Sequence, residues 1–155
     1  MKSTSQIIAI KKAEQWILNG LNSLLPQLST SLPPLTLTQL DHIIGSKNQI
    51  LLAAVENQKI LGTLTLIHFA LPTGYRARIE DLVVDQSARG LGIGQKLIQR
   101  ALRLVQNRGG GVINLTSNPN RQAANRLYKK LGFIRLDTNV YYCAIAPDKT
   151  FSAPV

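Results

Sequence analysis

Ile79-Glu80-Asp81-Leu82-Val83-Val84-Asp85-Gln86-Ser87-Ala88-Arg89-Gly90-Leu91-Gly92-Ile93-Gly94 carries two kinds of periodicity. Its first half is a β-branched apolar run, which predicts a strand over Ala77–Val84. After the glycines, Ile93, Leu97, Ile98, Ala101, Leu102 and Val105 recur on one face of a helix. Between them stand three alternate glycines behind an arginine. A tight turn accounts for one or two of these. All three let a backbone approach a ligand closely at a helix N-terminus, where free N–H groups and the helix dipole favour an anion. Two familiar phosphate loops do not fit. The dinucleotide fingerprint requires glycine where Gln95 stands, and the Walker loop requires Gly-Lys-Ser/Thr where the chain has Gln95-Lys96-Leu97.

Working upstream, Ile50–Val55 and Ile60–Phe69 are apolar runs joined by Glu56-Asn57-Gln58-Lys59, a hairpin pattern, and Pro72-Thr73-Gly74 turns the chain into the strand at Ala77. Before them, Gln6–Ile10 reads as a strand and Lys12–Leu28 as a helix weakened at Gly20. A short helix through Ile44 follows, capped by Thr36 or Thr38. Downstream, Gly109-Gly110-Gly111 ends the long helix and Val112–Thr116 is a short buried strand. Asn118-Pro119 reads as a cap and first-turn pair for a helix through Leu131. Gly132-Phe133 suits a left-handed C-cap, Asn139–Ala146 reads as a last strand, and Pro147–Val155 as a frayed tail. The order predicts a single α+β domain over 1–155, with a mixed, mostly antiparallel central sheet and helices on both faces.

The 155 residues hold 18 Lys plus Arg against 8 Asp plus Glu, a formal charge of +10. From Gln86 to Leu136 there is no acidic residue, and the ten cations of that window carry the whole net charge. Such asymmetry calls for an anionic partner on this half. Hydrophobic residues make up 45% of the chain, enough for a core without metal or disulfide staples. Cys143 is the sole cysteine and no Cys/His cluster has metal spacing, so no metal is expected. No apolar run is long enough to span a bilayer, and Ile7–Ile10 is too short for a signal-peptide core. A cytoplasmic protein without a membrane partner is the expectation.

Arg-x-x-Gly-x-Gly after the strand, together with Asn125-Arg126-Leu127-Tyr128-Lys129-Lys130-Leu131-Gly132-Phe133 one helix and one strand later, resembles the GNAT superfamily of N-acetyltransferases. The likeness is dense from Ile79 to Phe133 and only topological before it. It implies a GNAT-like acyltransferase fold with acetyl-CoA as the acetyl-donor substrate. It further implies that the strand Ile79–Val84 splays from Val112–Thr116, and that pantetheine enters the gap like an extra strand. By the same resemblance Leu82, Val83 and Val84 offer main-chain groups, with the Val84 N–H near the thioester carbonyl. Arg89, Gly90, Leu91, Gly92, Ile93 and Gly94 wrap the pyrophosphate, and Asn125 bonds the pantetheine or phosphate region. Asn118 is taken as a coenzyme contact beside it, and Arg121 either pairs with phosphate or is simply solvated. Tyr128 matches the position that often protonates the departing thiolate, a task suited to a phenol, while its spacing with Ala124 and Leu131 also fits a plain core tyrosine.

The proton lost by the acceptor needs a base. Glu80 and Asp81 are adjacent, so alternation puts them on opposite faces of the strand. Glu80 shares parity with Leu82 and Val84 and is favoured as base or amine-positioning group, with Asp81 in reserve. An ion pair with Arg76 or Arg78 is its plain structural alternative, and a water chain needs neither carboxylate. The expected reaction is direct attack by a primary amine, on a small molecule or a peptide, in a ternary complex. A basic nucleic-acid-binding module and a non-catalytic CoA-binding regulator are the competing classes. The first lacks interleaved exposed aromatics and any groove-reading motif; the second leaves Tyr128 without a purpose. The acceptor is not legible, and Gly132–Ala146 offers a segment for pairing in a homodimer.

Overall fold

A computed structural model of the chain describes residues 4–145. The elements run β1 (Gln6–Ala9), α1 (Gln15–Leu24), α2 (Leu37–Gly45), β2 (Gln49–Glu56), β3 (Lys59–Leu71), β4 (Gly74–Val84), α3 (Ile93–Gln106), β5 (Val112–Asn114) and α4 (Gln122–Lys130). One sheet holds the strands in order β1-β2-β3-β4-β5. The first four are antiparallel and β5 lies parallel to β4. This is the mixed α+β architecture that the strand and helix patterns predicted.

Local chemistry explains the joins. Asn57 and Gln58 both take positive φ, 50° and 58°, the mirror-image turn that matches strand twist in a two-residue hairpin. Thr36 caps α2 by accepting from the Gln39 N–H at 3.2 Å, while Gln39 Oε1 accepts from the Thr36 N–H at 2.9 Å. At the end of α4, Gly132 has φ +90° and the Phe133 N–H reaches the Tyr128 carbonyl at 3.0 Å. That is the expected left-handed cap, and it brings the Phe133 ring edge-on to Tyr128 at 6.0 Å between centroids.

The core lies in two layers, one on each sheet face. Leu52, Leu64, Leu66, Ala77 and Ile79 meet Ile93, Leu97, Ile98, Ala101 and Val105 of α3, with Tyr128 of α4. On the other face Leu51, Ala53, Ile60 and Val83 meet Ile17, Leu18, Leu21 and Leu24 of α1 and Leu40 of α2. Gly62 lets α3 approach: a Cβ there would come within 3.0 Å of the Val83 carbonyl and 3.1 Å of Ile93.

Several expectations change. The short strand β5 ends at Asn114 rather than Thr116 and is not buried, with Val112 exposed. The first helix is shorter than Lys12–Leu28, starting only at Gln15 and tightening into a 3₁₀ turn over Leu25–Gln27 with Pro26 inside it. α4 starts at Gln122 rather than after Asn118. The Asn118 side chain instead accepts from the Asn120 N–H at 2.9 Å, closing a turn before the helix. Residues 139–145 form no strand, and Ala146 and the 147–155 tail lie outside the described residues. Alternation alone does not make a strand; a ladder partner does, and 139–145 has none here.

Candidate active site

β4 and β5 pair over only three residues, Arg76 with Val112, Ala77 with Ile113 and Arg78 with Asn114. Beyond that point they part, as the resemblance implied. The divergence begins where β4 is bulged. Glu80 faces Thr65 and Val83 faces Thr63, so Asp81 and Leu82 together stand opposite Leu64. Asp81 sits at φ +49°, a left-handed conformation that Asp tolerates better than most residues. An extra residue adds twist and bends the strand away from its neighbour, leaving one edge of β4 without a ladder.

The gap is a cleft of about 330 Å³. Ile79, Glu80, Asp81 and Leu82 form one wall, Leu115 and Thr116 the opposite wall, and Tyr128 and Arg121 come from α4 and its N-terminal boundary. Leu28, Ser29 and Leu32, from the connection between α1 and α2, complete it. These three had no signal in the sequence, since loop residues with ordinary side chains carry no motif.

The bulge also breaks the parity that favoured Glu80. Register places Glu80 on the same face as Val83, toward α1 and α2, whereas Leu82 and Val84 pack against the α3 layer. Glu80 forms an ion pair with Arg78, one of the two partners anticipated for it. Arg78 also donates to Asn114 Oδ1 at 3.5 Å and Thr116 Oγ1 at 3.4 Å, holding the two strands together where they fork. Asp81 keeps solvent contact, yet partial burial in the cleft, and then the adjacent Glu80 charge, raise its pKa above the usual carboxylate value.

Tyr128 is 8% exposed, with its ring in the α3 layer and its side chain lining the cleft. Burial raises its pKa, and the Arg121 charge opposes that shift. The phenol is therefore neutral and proton-bearing across ordinary pH. α4 lies beside the start of α3: a Cβ at Gly94 would make an ordinary contact with Leu127 at 3.4 Å.

The glycine loop adjoins this corner. Asp85 accepts from the Ser87 N–H at 2.8 Å and starts a 3₁₀ turn over Gln86–Ala88. Gln27, beyond α1, accepts from the Gln86 N–H at 2.9 Å and ties the loop to the first helix. Gly90 and Gly92 take φ +81° and +78°, and α3 begins immediately after Gly92 with no side chain capping it. The first N–H groups of a fourteen-residue helix are thus available to a ligand. Arg89 leans back on the Val84 carbonyl at 3.4 Å. Asn125 donates to the carbonyls of Asn118 and Pro119 at 3.1 and 3.3 Å, bracing the turn ahead of α4.

Of the residues singled out in the sequence, Glu80, Leu82, Arg121 and Tyr128 line the cleft. Val84 and Arg89–Gly94 lie outside its lining, with Gly94 near Leu127 of α4 and Val84. Val83 is buried under α1 and α2, Asn118 sits in the turn before α4, and Asn125 in the first turn of α4.

The model of the acetyltransferase (GNAT) family matches residues 18–133. The chain belongs to the GNAT family. This GNAT chain is 39% identical over 59 residues to a mycothiol acetyltransferase of Paenarthrobacter aurescens, covering 38% of this chain and 18% of that protein. It is 33% identical over 85 residues to N-alpha-acetyltransferase 30 of Schizosaccharomyces pombe, covering 53% and 55%. The chain thus spans about a fifth and about half of these two relatives. Among solved structures, a putative acetyltransferase from Agrobacterium tumefaciens superimposes with a TM-score of 0.80 at 23% identity, over 90% of this chain and 99% of that one, a likeness of fold. No helix among the described residues is long and apolar enough to cross a membrane.

Proposed function

We propose that this chain is an N-acetyltransferase that moves the acetyl group of acetyl-CoA to a primary amine by direct attack in a ternary complex. The observation that carries this reading is the fork between β4 and β5, an unladdered strand edge lying between a buried tyrosine and an uncapped helix N-terminus. The residues fit such a donor. The loop Arg89–Gly94 and the start of α3 suit the pyrophosphate, with Arg121, Asn118 and Asn125 beside it, and the main chain of Leu82–Val84 suits an amide-bearing arm.

In this reading the amine nitrogen forms its bond to the acetyl carbon as the carbon–sulfur bond breaks. The Val84 N–H stabilises the charge developing on the carbonyl oxygen. Tyr128 gives its proton to the leaving sulfur, and Glu80 takes the proton lost by nitrogen. Asp81 is the alternative base: partial burial raises its pKa above the usual carboxylate value, whereas Glu80 already has Arg78 as partner. No nucleophilic side chain and no metal enters the scheme.

The acceptor is a small molecule or a peptide carrying the amine, bound against Leu28, Ser29 and Leu32. A cytoplasmic location and a homodimer belong to the same reading. Ile134, Leu136, Val140, Tyr141 and Tyr142 stand 67–89% exposed after α4 and offer an apolar face to a second copy. The test is calorimetric titration with acetyl-CoA, followed by a coenzyme A-release screen across amine classes. Absence of acetyl-CoA binding, or undiminished binding in Arg89→Glu, would sink the proposal.

A further inference from the structure

A second depression, of about 230 Å³, lies at the other end of α3. Lys11 follows β1, Ser46 and Lys47 follow α2, Gln49 opens β2, His68 belongs to β3, and Arg108 comes just after α3. Fourteen helical residues separate this end from the glycine loop, a distance of about 20 Å. The depression is therefore not part of the cleft.

Its chemistry is one-sided. No lining residue is acidic. Lys11, Lys47 and Arg108 face the depression, and none of them is in the ion pair between Arg78 and Glu80. Arg108 spends one N–H on the Leu104 carbonyl at 3.3 Å. His68 Nε2 is buried without a hydrogen-bond partner among the described residues. Burial, and then the Arg108 charge, lower the His68 pKa and keep its ring neutral, which leaves it one N–H to donate. Converging cations repel one another, and a buried polar atom without a partner is costly. One ligand repairs both faults: a group with several negatively charged oxygens.

We infer that Lys11, Lys47, Arg108 and His68 form a binding site for a compact polyoxyanion, separate from the coenzyme end of the molecule. The depression is smaller than the usual site of a drug-sized ligand, which suits a group the size of one or two phosphates. Lysines supply mobile point charges, arginine a fixed fork, and the imidazole a directed donor at the least accessible point.

The probe is inorganic pyrophosphate, titrated calorimetrically at low ionic strength so that screening does not mask these exposed charges. The wild-type chain, Lys47→Gln/Arg108→Gln, His68→Phe and Arg89→Gln are compared. The site predicts binding that weakens about tenfold or more in the double variant and falls in His68→Phe, yet persists in Arg89→Gln. Acetyl-CoA affinity stays unchanged in the double variant, which separates this outcome from a failure of the acetyltransferase reading. Three results overturn the inference: no pyrophosphate binding by the wild type, loss confined to Arg89→Gln, or a single-stranded oligonucleotide rather than pyrophosphate depending on Lys47 and Arg108.

Discussion

Arg78 and Glu80 are ion-paired across one residue of β4, and the same guanidinium reaches Asn114 and Thr116 on the far side of the fork. The pair sits at the last point where β4 and β5 still share a ladder. Glu80 is thus held by the group that also limits how far the strands open. A change at Arg78 alters both the charge and the bracing of the fork.

The two carboxylates are separable by substitution. Glu80→Gln is expected to lower kcat roughly 100-fold, within the range for a lost general base, with acetyl-CoA affinity unchanged. An equal loss confined to Asp81→Asn would assign the proton transfer to Asp81. The stability effects also differ. The Asp81 pKa is raised in the folded chain, so its contribution is fully present below the ordinary value of 3.8 and is lost as pH rises through the folded value. Asp81→Asn is therefore expected to melt higher than wild type at neutral pH, as seen by calorimetry.

Tyr128→Phe removes one oxygen and leaves the ring in place against Phe133. The expected result is a kcat reduction of roughly 100-fold with little change in melting temperature. Because burial raises the phenol pKa above its usual 10.0, the wild-type rate should hold through mildly alkaline pH before declining. A Phe variant that matches the wild-type rate removes Tyr128 as the acid.

Gly62→Ala tests the contact between the bulged strand and the start of α3. The added carbon meets the Val83 carbonyl and Ile93 at 3.0 and 3.1 Å, and neither is the free end of a flexible chain. Overpacking of this kind costs about 1–3 kcal/mol, and each kcal/mol lowers Tm by roughly 2–4 °C at this size. Acetyl-CoA affinity should fall alongside it, because the displaced elements border the loop proposed to hold the coenzyme. Thermal melts and titration together check both.

Asp85→Ala removes the anchor of the 3₁₀ turn that leads into the glycine loop. The cost is about 1 kcal/mol at neutral pH, typical of a lost cap. Hydrogen bonds from Ser87, opposed slightly by burial and aided by Gln27 and Lys59, hold the Asp85 pKa below 3.8. The wild-type advantage is therefore full above 3.8 and shrinks as pH falls through the folded value. Denaturant unfolding measured at neutral and acidic pH reads the difference.

Local grammar made much of this molecule legible. Of the predicted helix face, Ile93, Leu97, Ile98, Ala101 and Val105 are buried and Leu102 is half-buried, and Gly132-Phe133 makes the predicted cap. What escaped is what depends on partners distant in sequence. The bulge at Asp81 has no marker in the strand itself; it appears only when Thr63 and Thr65 are set opposite it, and it overturned the parity assigned to Glu80. Leu28, Ser29 and Leu32 enter the cleft because α1 ends where it does, not through any pattern of their own. The expected last strand had the right residues over 139–145 and no neighbour to pair with.

The three-residue pairing of β4 with β5 makes the sheet an unfinished object. A substrate that supplies amide groups to the open edge would serve for a time as a piece of secondary structure. Rigidity near the reacting atoms would then be borrowed from the very molecule being consumed, and handed back at each turnover. Amide protons of the outer β4 edge should exchange quickly in the free chain and slowly in the loaded one, marking each cycle as a small act of folding.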